Sequence, residues 1–505
     1  MIEAGNLWEL ITKRAKATPD APMVVDETRT TLTFADYRDK AERAAAGLQA
    51  RGVREGSVVT WILPTTNHAF VLVGALSRLG AIQNPVLPIY RDREVGFIAK
   101  EAKPQLLIVP SVYRDFDFAA MAERVAPGVE TLVCDGPIPS GEPSGLPPAP
   151  KVTGEPPVRW LFYTSGSTAD PKGAQHTDAT IMATARGMAE RLELTSEDRN
   201  GLVFPFTHIA GPIWLASGLM VGLRHLIVSA WDPPTTIPFF QEQGVTIAGS
   251  GTIFHMGYLN AQRENASTPL FPDVRSFPGG GAPKPPQLHY DLRKELGGAG
   301  ILSGYGLTEA PILTMASAAD PDEALANTEG TPMRGVDLKL VTLKGKIAGP
   351  GEEGEIRAKA PQLMKGYLDS SLDAEGFDEE GYFRTGDLGR LDDGFIVITG
   401  RVKDIIIRKG ENISAKEVED LLFTNPKVAD AAVIGLPDPA SGERACAVVV
   451  PKAADDPLSM EEMQAFLKEQ GLRTQAVPEQ LEIVEALPRN PAGKVLKQDL
   501  KKAYA

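Results

Sequence analysis

The sequence is poor in cysteine: only Cys134 and Cys446 occur in 505 residues. Two thiols so far apart exclude a disulfide framework and read as reduced residues of a cytoplasmic protein. Histidine is scarce as well, with six residues, and no Cys or His pair has the spacing of metal ligands, which argues against a structural zinc site. Long apolar runs are missing. Stretches such as Ala69–Leu76 stop well short of the ~20 residues that a membrane span needs. Met1 to Leu10 carries Glu3 and Glu9 and no basic segment ahead of an apolar one, so no signal peptide is expected. Positive charge is in deficit, with a formal net charge of −14. An acidic surface repels nucleic acid and anionic membrane, so neither is an expected partner. Any site for a polyanion must be built locally, from loop amides and a few placed cations. No internal repeat of fixed period is present.

What remains is ordinary globular material, 43% hydrophobic and 23% charged, in a chain too long for one core. The first part alternates helical and strand-like patterns. Phe34, Tyr37, Ala41, Ala45 and Leu48 recur at helical spacing over Phe34–Arg51, and Gly52 follows as a stop. Val58–Leu63 reads as a strand, His68–Leu79 as a buried helix and Gln105–Val109 as another strand. This alternation predicts an α/β fold with a mainly parallel sheet. Residues 136–157 are rich in Pro, Gly and Ser and read as a linker or surface loop. A second change of pattern comes near residue 400, where Phe395–Thr399 alternates like a strand and charged amphipathic stretches follow, with strands at Ala431–Ile434 and Ala445–Val450. The expected organisation is a large N-terminal domain, 1–400, of layered α/β subdomains, and a small α+β C-terminal domain, 401–505.

Five segments carry chemistry. Tyr163-Thr-Ser-Gly-Ser-Thr-Ala-Asp-Pro-Lys-Gly173 follows the apolar run Trp160–Phe162 and so begins where a strand ends. Its hydroxyls, glycines and Lys172 can wrap phosphate oxygens, although an ordinary Ser/Thr/Gly turn has the same composition. It is not a Walker A loop, because Pro171 and Gly173 flank the lysine where that loop has Gly and Ser or Thr. Ser303-Gly-Tyr-Gly-Leu-Thr-Glu309 joins an aromatic ring, a hydroxyl and a carboxylate that can hold Mg²⁺ beside phosphate. Tyr382-Phe-Arg-Thr-Gly-Asp387 ends in an Asp suited to a ribose diol. Gly400-Arg-Val-Lys-Asp404, followed by Gly410-Glu-Asn-Ile413, lies on the expected domain boundary, and Pro488-Arg-Asn-Pro-Ala-Gly-Lys494 puts a lysine on a late loop.

In this order the five segments resemble the core motifs of the adenylate-forming superfamily: acyl-CoA synthetases, adenylation domains of peptide synthetases and firefly-type luciferases. The resemblance runs from about Leu7 to Lys497. It implies that Thr164, Ser165, Gly166, Ser167, Thr168 and Lys172 hold the ATP phosphates, with Thr168 and Glu309 toward Mg²⁺. Gly281, Ala282, Pro283, Tyr305, Gly306 and Thr308 would line the adenine and α-phosphate, with Tyr305 stacked on the purine. Asp387 and Arg401 would hold ribose, and Lys403 would act as the hinge of a mobile C-terminal domain. Lys494 would be catalytic in adenylate formation, together with Lys172, Thr308 and Glu309. His208 would gate the acid pocket, lined also by Ile209, Trp214, Gly280, Leu307 and Ile312. Two positions depart from the family pattern: Ala169 and Lys409 stand where glycine is common. Lys409 and Gly410 would border the coenzyme A entrance.

The implied activity is a cytoplasmic carboxylic acid–CoA ligase using Mg-ATP and coenzyme A. Such an enzyme forms acyl-AMP and pyrophosphate, then acyl-CoA and AMP. No acid stands near His208, which argues against an amino-acid substrate, and no carrier domain follows Ala505. Asn84-Pro-Val-Leu-Pro-Ile-Tyr-Arg-Asp-Arg-Glu94 resembles bacterial ligases for fatty or cyclohexanecarboxylic acids, pointing to fatty acid metabolism and an apolar acid. Medium-chain, alicyclic, aryl and steroid side-chain acids stay open, as does a homodimer. The alternatives are an acyl-AMP ligase that loads a carrier protein, and a non-catalytic homologue that binds nucleotide or acyl ligand.

Overall fold

The computed structural model describes every residue except 165–170, 265–267, 283, 410 and 490–494. It packs as two compact units. The first comprises Met1–Gly281, Gln287–Asp337 and Lys359–Phe383; the second comprises Ala282–Pro286, Leu338–Ala358 and Arg384–Ala505.

The first unit is mixed α/β. One sheet runs Lys172–Thr177, Val158–Thr164, Ile82–Pro85, Val58–Trp61, Leu106–Val109, Glu130–Val133 in spatial order. Its strands pair in parallel apart from the antiparallel pair Val158–Thr164 and Lys172–Thr177. Parallel strands need long crossovers, and the helices Asn67–Leu79 and Asp92–Ala102 supply them. A second sheet runs Ile247–Ala248, Arg199–Leu202, Arg224–Ile227, Pro22–Asp26, Thr31–Thr33. A third runs Phe277–Gly280, Ile301–Leu307, Ala310–Met315, Thr331–Pro332.

Local sequence explains the helices. Phe34–Ala50 starts on a capping box in which the Thr33 hydroxyl accepts from the Asp36 amide and the Asp36 carboxylate accepts in return. Its Phe34, Tyr37, Ala41, Ala44, Ala45 and Leu48 face is buried. Asn67–Leu79 is apolar nearly all round, as a helix enclosed on all sides must be. It starts one residue earlier than its pattern predicts, and the strand expected over Val58–Leu63 stops at Trp61. Asp178–Arg191 begins on a second capping box, Thr177 with Thr180. The buried Asp178 carboxylate there accepts from the Leu7 amide at 3.0 Å and the Trp160 indole at 2.8 Å. These helices and the first sheet share a core that includes Leu10, Phe34, Trp61, Phe70, Trp160, Phe206 and Trp214.

The 136–157 segment contains one short 3₁₀ turn, Pro143–Gly145, and no strand or α-helix. It is fastened rather than free: Ile138 is buried in the core and the Gly141 amide donates to the Arg43 carbonyl at 2.9 Å.

The second unit holds two sheets. One orders Asp337–Val341, Gly354–Lys359, Phe383–Asp392 and Phe395–Arg401. The other orders Glu411–Ser414, Ile405–Arg408, Gly442–Pro451 and Val428–Asp438, with Gln480–Ile483 pairing in parallel to Gly442–Pro451. Helices Ala415–Phe423 and Met460–Glu469 cover an apolar core of Ile406, Val418, Leu422, Val433, Val449 and Leu467. Among the described residues no helix is long and apolar enough to cross a membrane.

Candidate active site

In the first unit the candidate residues converge on the hairpin Ile301–Leu307 and Ala310–Met315, whose turn is Thr308 and Glu309. Pairing is regular at Gly304–Met315 and Tyr305–Thr314, then shifts to Leu307–Ala310, so the second strand bulges opposite Gly306. At the bulge Ile312 has φ +46°, a left-handed conformation that a β-branched residue adopts only under constraint. The buried Gln362 supplies one constraint, donating from Nε2 to the Ile312 carbonyl at 3.1 Å. Gly306 supplies another: a Cβ there would lie 2.2 Å from the Ile312 nitrogen and 2.8 Å from the Ala310 oxygen.

The turn is held from three sides. Nε2 of His176 donates to the Thr308 carbonyl at 2.8 Å, which leaves Nδ1 facing the Thr180 hydroxyl at 3.1 Å. The Met364 amide donates to the Glu309 carbonyl at 2.9 Å. The Tyr367 hydroxyl donates to Glu309 Oε1 at 3.0 Å. Glu309 is only 8% exposed, so its carboxylate is withdrawn from bulk water. Lys172 stands directly across the strand pair from Thr164 and begins the strand that carries His176. Its ammonium lies over the Tyr367 ring, 5.5 Å from the centroid.

Burial pushes the His176 imidazole down to about 4, the bond to the Thr308 carbonyl opposing that shift. The ring is therefore neutral in the folded protein at pH 7. Between pH 6.5 and 4 the unfolded chain takes up a proton here that the folded chain does not, so stability falls with acidification by up to about 3 kcal/mol from this residue. His176→Gln, which keeps a donor for the Thr308 carbonyl, is expected to flatten the fall in melting temperature across that range. An unchanged pH profile of the melting temperature would show that His176 is not the group responsible.

The residues expected to line an acid pocket all lie in the first unit. Gly280 ends the strand Phe277–Gly280 and pairs with Gly304, where a Cβ would meet the Gly304 oxygen at 2.4 Å. Gly281 follows with φ +78°. Ile209 and Trp214 are buried in the main core, and the half-buried Ile312 packs against that core. Leu307 is half-buried at its strand end, and Tyr305 is buried in the same strand. His208 is exposed; its Nδ1 accepts from the Ala210 amide at 3.2 Å at the start of the helix Ala210–Val221, and its ring meets Phe204 edge-on.

The second unit has its own constellation. Asp387 and Arg401 face each other across paired strands, with Arg401 Nε donating to Asp387 Oδ1 at 2.8 Å. The Asp387 amide donates to the Thr385 hydroxyl at 3.1 Å, which in turn donates to the Ile356 carbonyl at 2.6 Å. Lys403 is exposed in the short turn Val402–Asp404. Lys409 has φ +51°, and its amide donates to the Ser441 carbonyl at 2.7 Å. A left-handed backbone there explains why glycine suits the position. Ala282 packs with this unit. Ser165, Gly166, Ser167, Thr168, Pro283, Gly410 and Lys494 lie outside the described residues.

Residues 11–368 match the AMP-binding enzyme family, and residues 417–494 match the AMP-binding enzyme C-terminal domain. The chain is an AMP-binding enzyme. It belongs to the adenylate-forming superfamily, as an ATP-dependent adenylate-forming ligase. This AMP-binding enzyme is 31% identical to the medium-chain fatty-acid–CoA ligase of Escherichia coli (strain K12), over 99% of the chain and 90% of that ligase. It is also 31% identical to the salicyl-AMP ligase / salicyl-S-ArCP synthetase of Mycobacterium tuberculosis (strain ATCC 25618 / H37Rv), over 92% of the chain and 84% of that enzyme. The o-succinylbenzoate coenzyme A synthetase (MenE) of Bacillus subtilis, solved in complex with ATP and magnesium ion, superimposes with a TM-score of 0.83 at 27% identity, covering 97% of this chain and 99% of that one.

The donor set of this AMP-binding enzyme fits such ligands. Among the described residues no three His, Cys, Asp or Glu side chains group to cage a metal. A lone, withdrawn carboxylate such as Glu309 suits Mg²⁺, which keeps several waters and binds one or two carboxylates plus substrate phosphates. His176, Gln362, Met364 and Tyr367 escaped the sequence reading. The signal that could have found them is weak: His176 follows the phosphate loop by a few residues, and the other three lie in Gln362-Leu-Met-Lys-Gly-Tyr367, which has no chemistry of its own.

Proposed function

We infer that this AMP-binding enzyme is a carboxylic acid–CoA ligase acting on an apolar acid. The observation that carries the reading is the clamped Thr308–Glu309 turn, with the Glu309 carboxylate and the Lys172 ammonium on one tyrosine side chain. In the first step the acid's carboxylate oxygen bonds to the α-phosphorus of ATP, and the bond to the pyrophosphate oxygen breaks. Glu309, with Thr168, would hold Mg²⁺, which when bound neutralises phosphate charge. Lys172 and Thr164 through Thr168 would grip the phosphates, Thr308 the α-phosphate, and Lys494 the charge that develops at the reacting centre. Placed charges of this kind dominate such transfers. Tyr305, Gly281, Ala282, Pro283 and Gly306 would enclose adenine; Asp387 and Arg401 would take the ribose.

In the second step the coenzyme A thiolate would displace AMP from the acyl carbon. Lys409 and Gly410 would border the cofactor's entrance, and Lys403, just inside the expected C-terminal domain 401–505, would absorb the backbone rotation that exchanges the two active arrangements. His208, Ile209, Trp214, Gly280, Leu307 and Ile312 form a mostly apolar lining, which favours an acid without charge beyond its carboxylate.

The similarity to a salicyl-AMP ligase / salicyl-S-ArCP synthetase favours a second reading, in which the acyl group goes to a carrier protein. One assay separates the two. Pyrophosphate and AMP are measured with ATP, Mg²⁺ and a panel of medium-chain, alicyclic, aryl and steroid side-chain acids, each with and without coenzyme A. The ligase reading expects one class of acid to give multiple turnover that depends on coenzyme A. Pyrophosphate release unaffected by coenzyme A supports the carrier-protein reading. No pyrophosphate from any acid overturns both.

A further inference from the structure

Tyr367 lies in neither the phosphate loop nor the hairpin, yet it touches residues of both. Its backbone is tied down on two sides: its carbonyl accepts from Gln175 Nε2 at 2.8 Å, and its amide donates to Asp373 Oδ1 at 2.9 Å. It also forms an isolated antiparallel bridge with Ala174. The side chain is 5% exposed, so it cannot swing into solvent. Its two faces of chemistry are both used. The hydroxyl donates to Glu309 Oε1 at 3.0 Å, and the ring face lies 5.5 Å from the Lys172 ammonium.

We propose that Tyr367 is a positioning residue that sets the separation of Glu309 from Lys172, holding the carboxylate by its hydroxyl and the ammonium by its ring. The inference rests on the reading above, in which Glu309 faces Mg²⁺ and Lys172 faces phosphate. Opposite charges brought this near would otherwise be drawn to each other, and a collapsed pair would offer neither group to a ligand. A neutral side chain that bonds to both keeps them apart and oriented.

The test is equilibrium binding of a fluorescent N-methylanthraniloyl ATP to the full chain, titrated with Mg²⁺ and repeated in EDTA. Tyr367→Phe keeps the ring and loses the hydroxyl. It is expected to need roughly tenfold more Mg²⁺ for half-maximal binding, the scale of a hydrogen bond to a charged group, while binding in EDTA stays near the wild-type value. Tyr367→Leu loses the ring as well, and its metal-free affinity is expected to drop by roughly fivefold. Should that variant not fold, as judged by thermal melting, Tyr367→Met, closer in volume, replaces it. Glu309→Gln is the control for the underlying reading. A shifted Glu309→Gln titration beside an unshifted Tyr367→Phe overturns the role of Tyr367 and leaves the reading intact. An unshifted Glu309→Gln titration overturns the reading of Glu309 itself.

Discussion

Gly306→Ala is expected to reduce pyrophosphate release on the order of 100-fold, because it forces the Thr308–Glu309 turn out of place. The added methyl would sit 2.2 Å from the Ile312 nitrogen, 2.8 Å from the Ala310 oxygen and 2.9 Å from the Ile312 Cα. All three are backbone atoms of the facing strand, so no side chain can rotate away to make room. The two strands must separate at the bulge. Ile312 is already strained at φ +46° and fixed through its carbonyl by Gln362, so relief falls on the other end of the hairpin, the Thr308–Glu309 turn. A displacement near 1 Å at a reacting centre costs about two orders of magnitude in rate. Overpacking should also destabilise the fold, by about 1–3 kcal/mol. Pyrophosphate release and thermal melting check both parts. Adenylation within a few-fold of wild type would mean that the close approach at Gly306 does not govern the turn.

Lys494→Ala is expected to slow adenylate formation on the order of 10²–10³-fold, the scale for removing a preorganised charge from a developing one. Transfer of the acyl group from a supplied acyl-adenylate to coenzyme A should proceed near its normal rate, because no attack on the α-phosphorus and no loss of pyrophosphate take place in that step. The two half-reactions are measured separately, by pyrophosphate release and by thioester formation. Equal loss in both would sink the assignment of Lys494 to the first step. The contrast with Gly306→Ala is informative, since a misplaced turn should impair every step that uses bound nucleotide.

Much of the architecture was legible because hydrophobic period and caps agree locally. Phe34–Ala50 carries its apolar face at helical spacing and its start signal in Thr33 and Asp36, so pattern and structure differ by one residue at its end. The Trp160–Phe162 run reads as a strand that ends at the Tyr163–Gly173 segment, and the strand Val158–Thr164 runs two residues into that segment. The compact units were less legible. Leu338–Ala358 and Arg384–Ala505 pack together with Lys359–Phe383 excluded, and pairing between separated segments leaves no mark on any one of them. The bulge at Ile312 was invisible, since a left-handed residue is usually announced by glycine or asparagine and here it is isoleucine. The clamp residues were missed for the same reason as the units. His176, Met364 and Tyr367 act through bonds to a turn far away in the chain, and their own neighbours in sequence carry no sign of it.

The sequence separations within that clamp have a consequence for the order of events in the cell. The bond from His176 to Thr308 spans 132 residues, that from Gln175 to Tyr367 spans 192, and that from Tyr367 to Glu309 spans 58. Contacts this distant close late, after the entropy of the intervening loops has been lost. A nascent chain that has emerged as far as Met315 can form its hairpin and the bond from His176, but Met364 and Tyr367, which also hold the turn, are still unmade. The turn is thus fully held only when the Gln362–Tyr367 strap has docked, well after most of the first unit has been synthesised. A chain that stops short of this strap lacks two of the three contacts that fix the Thr308–Glu309 turn.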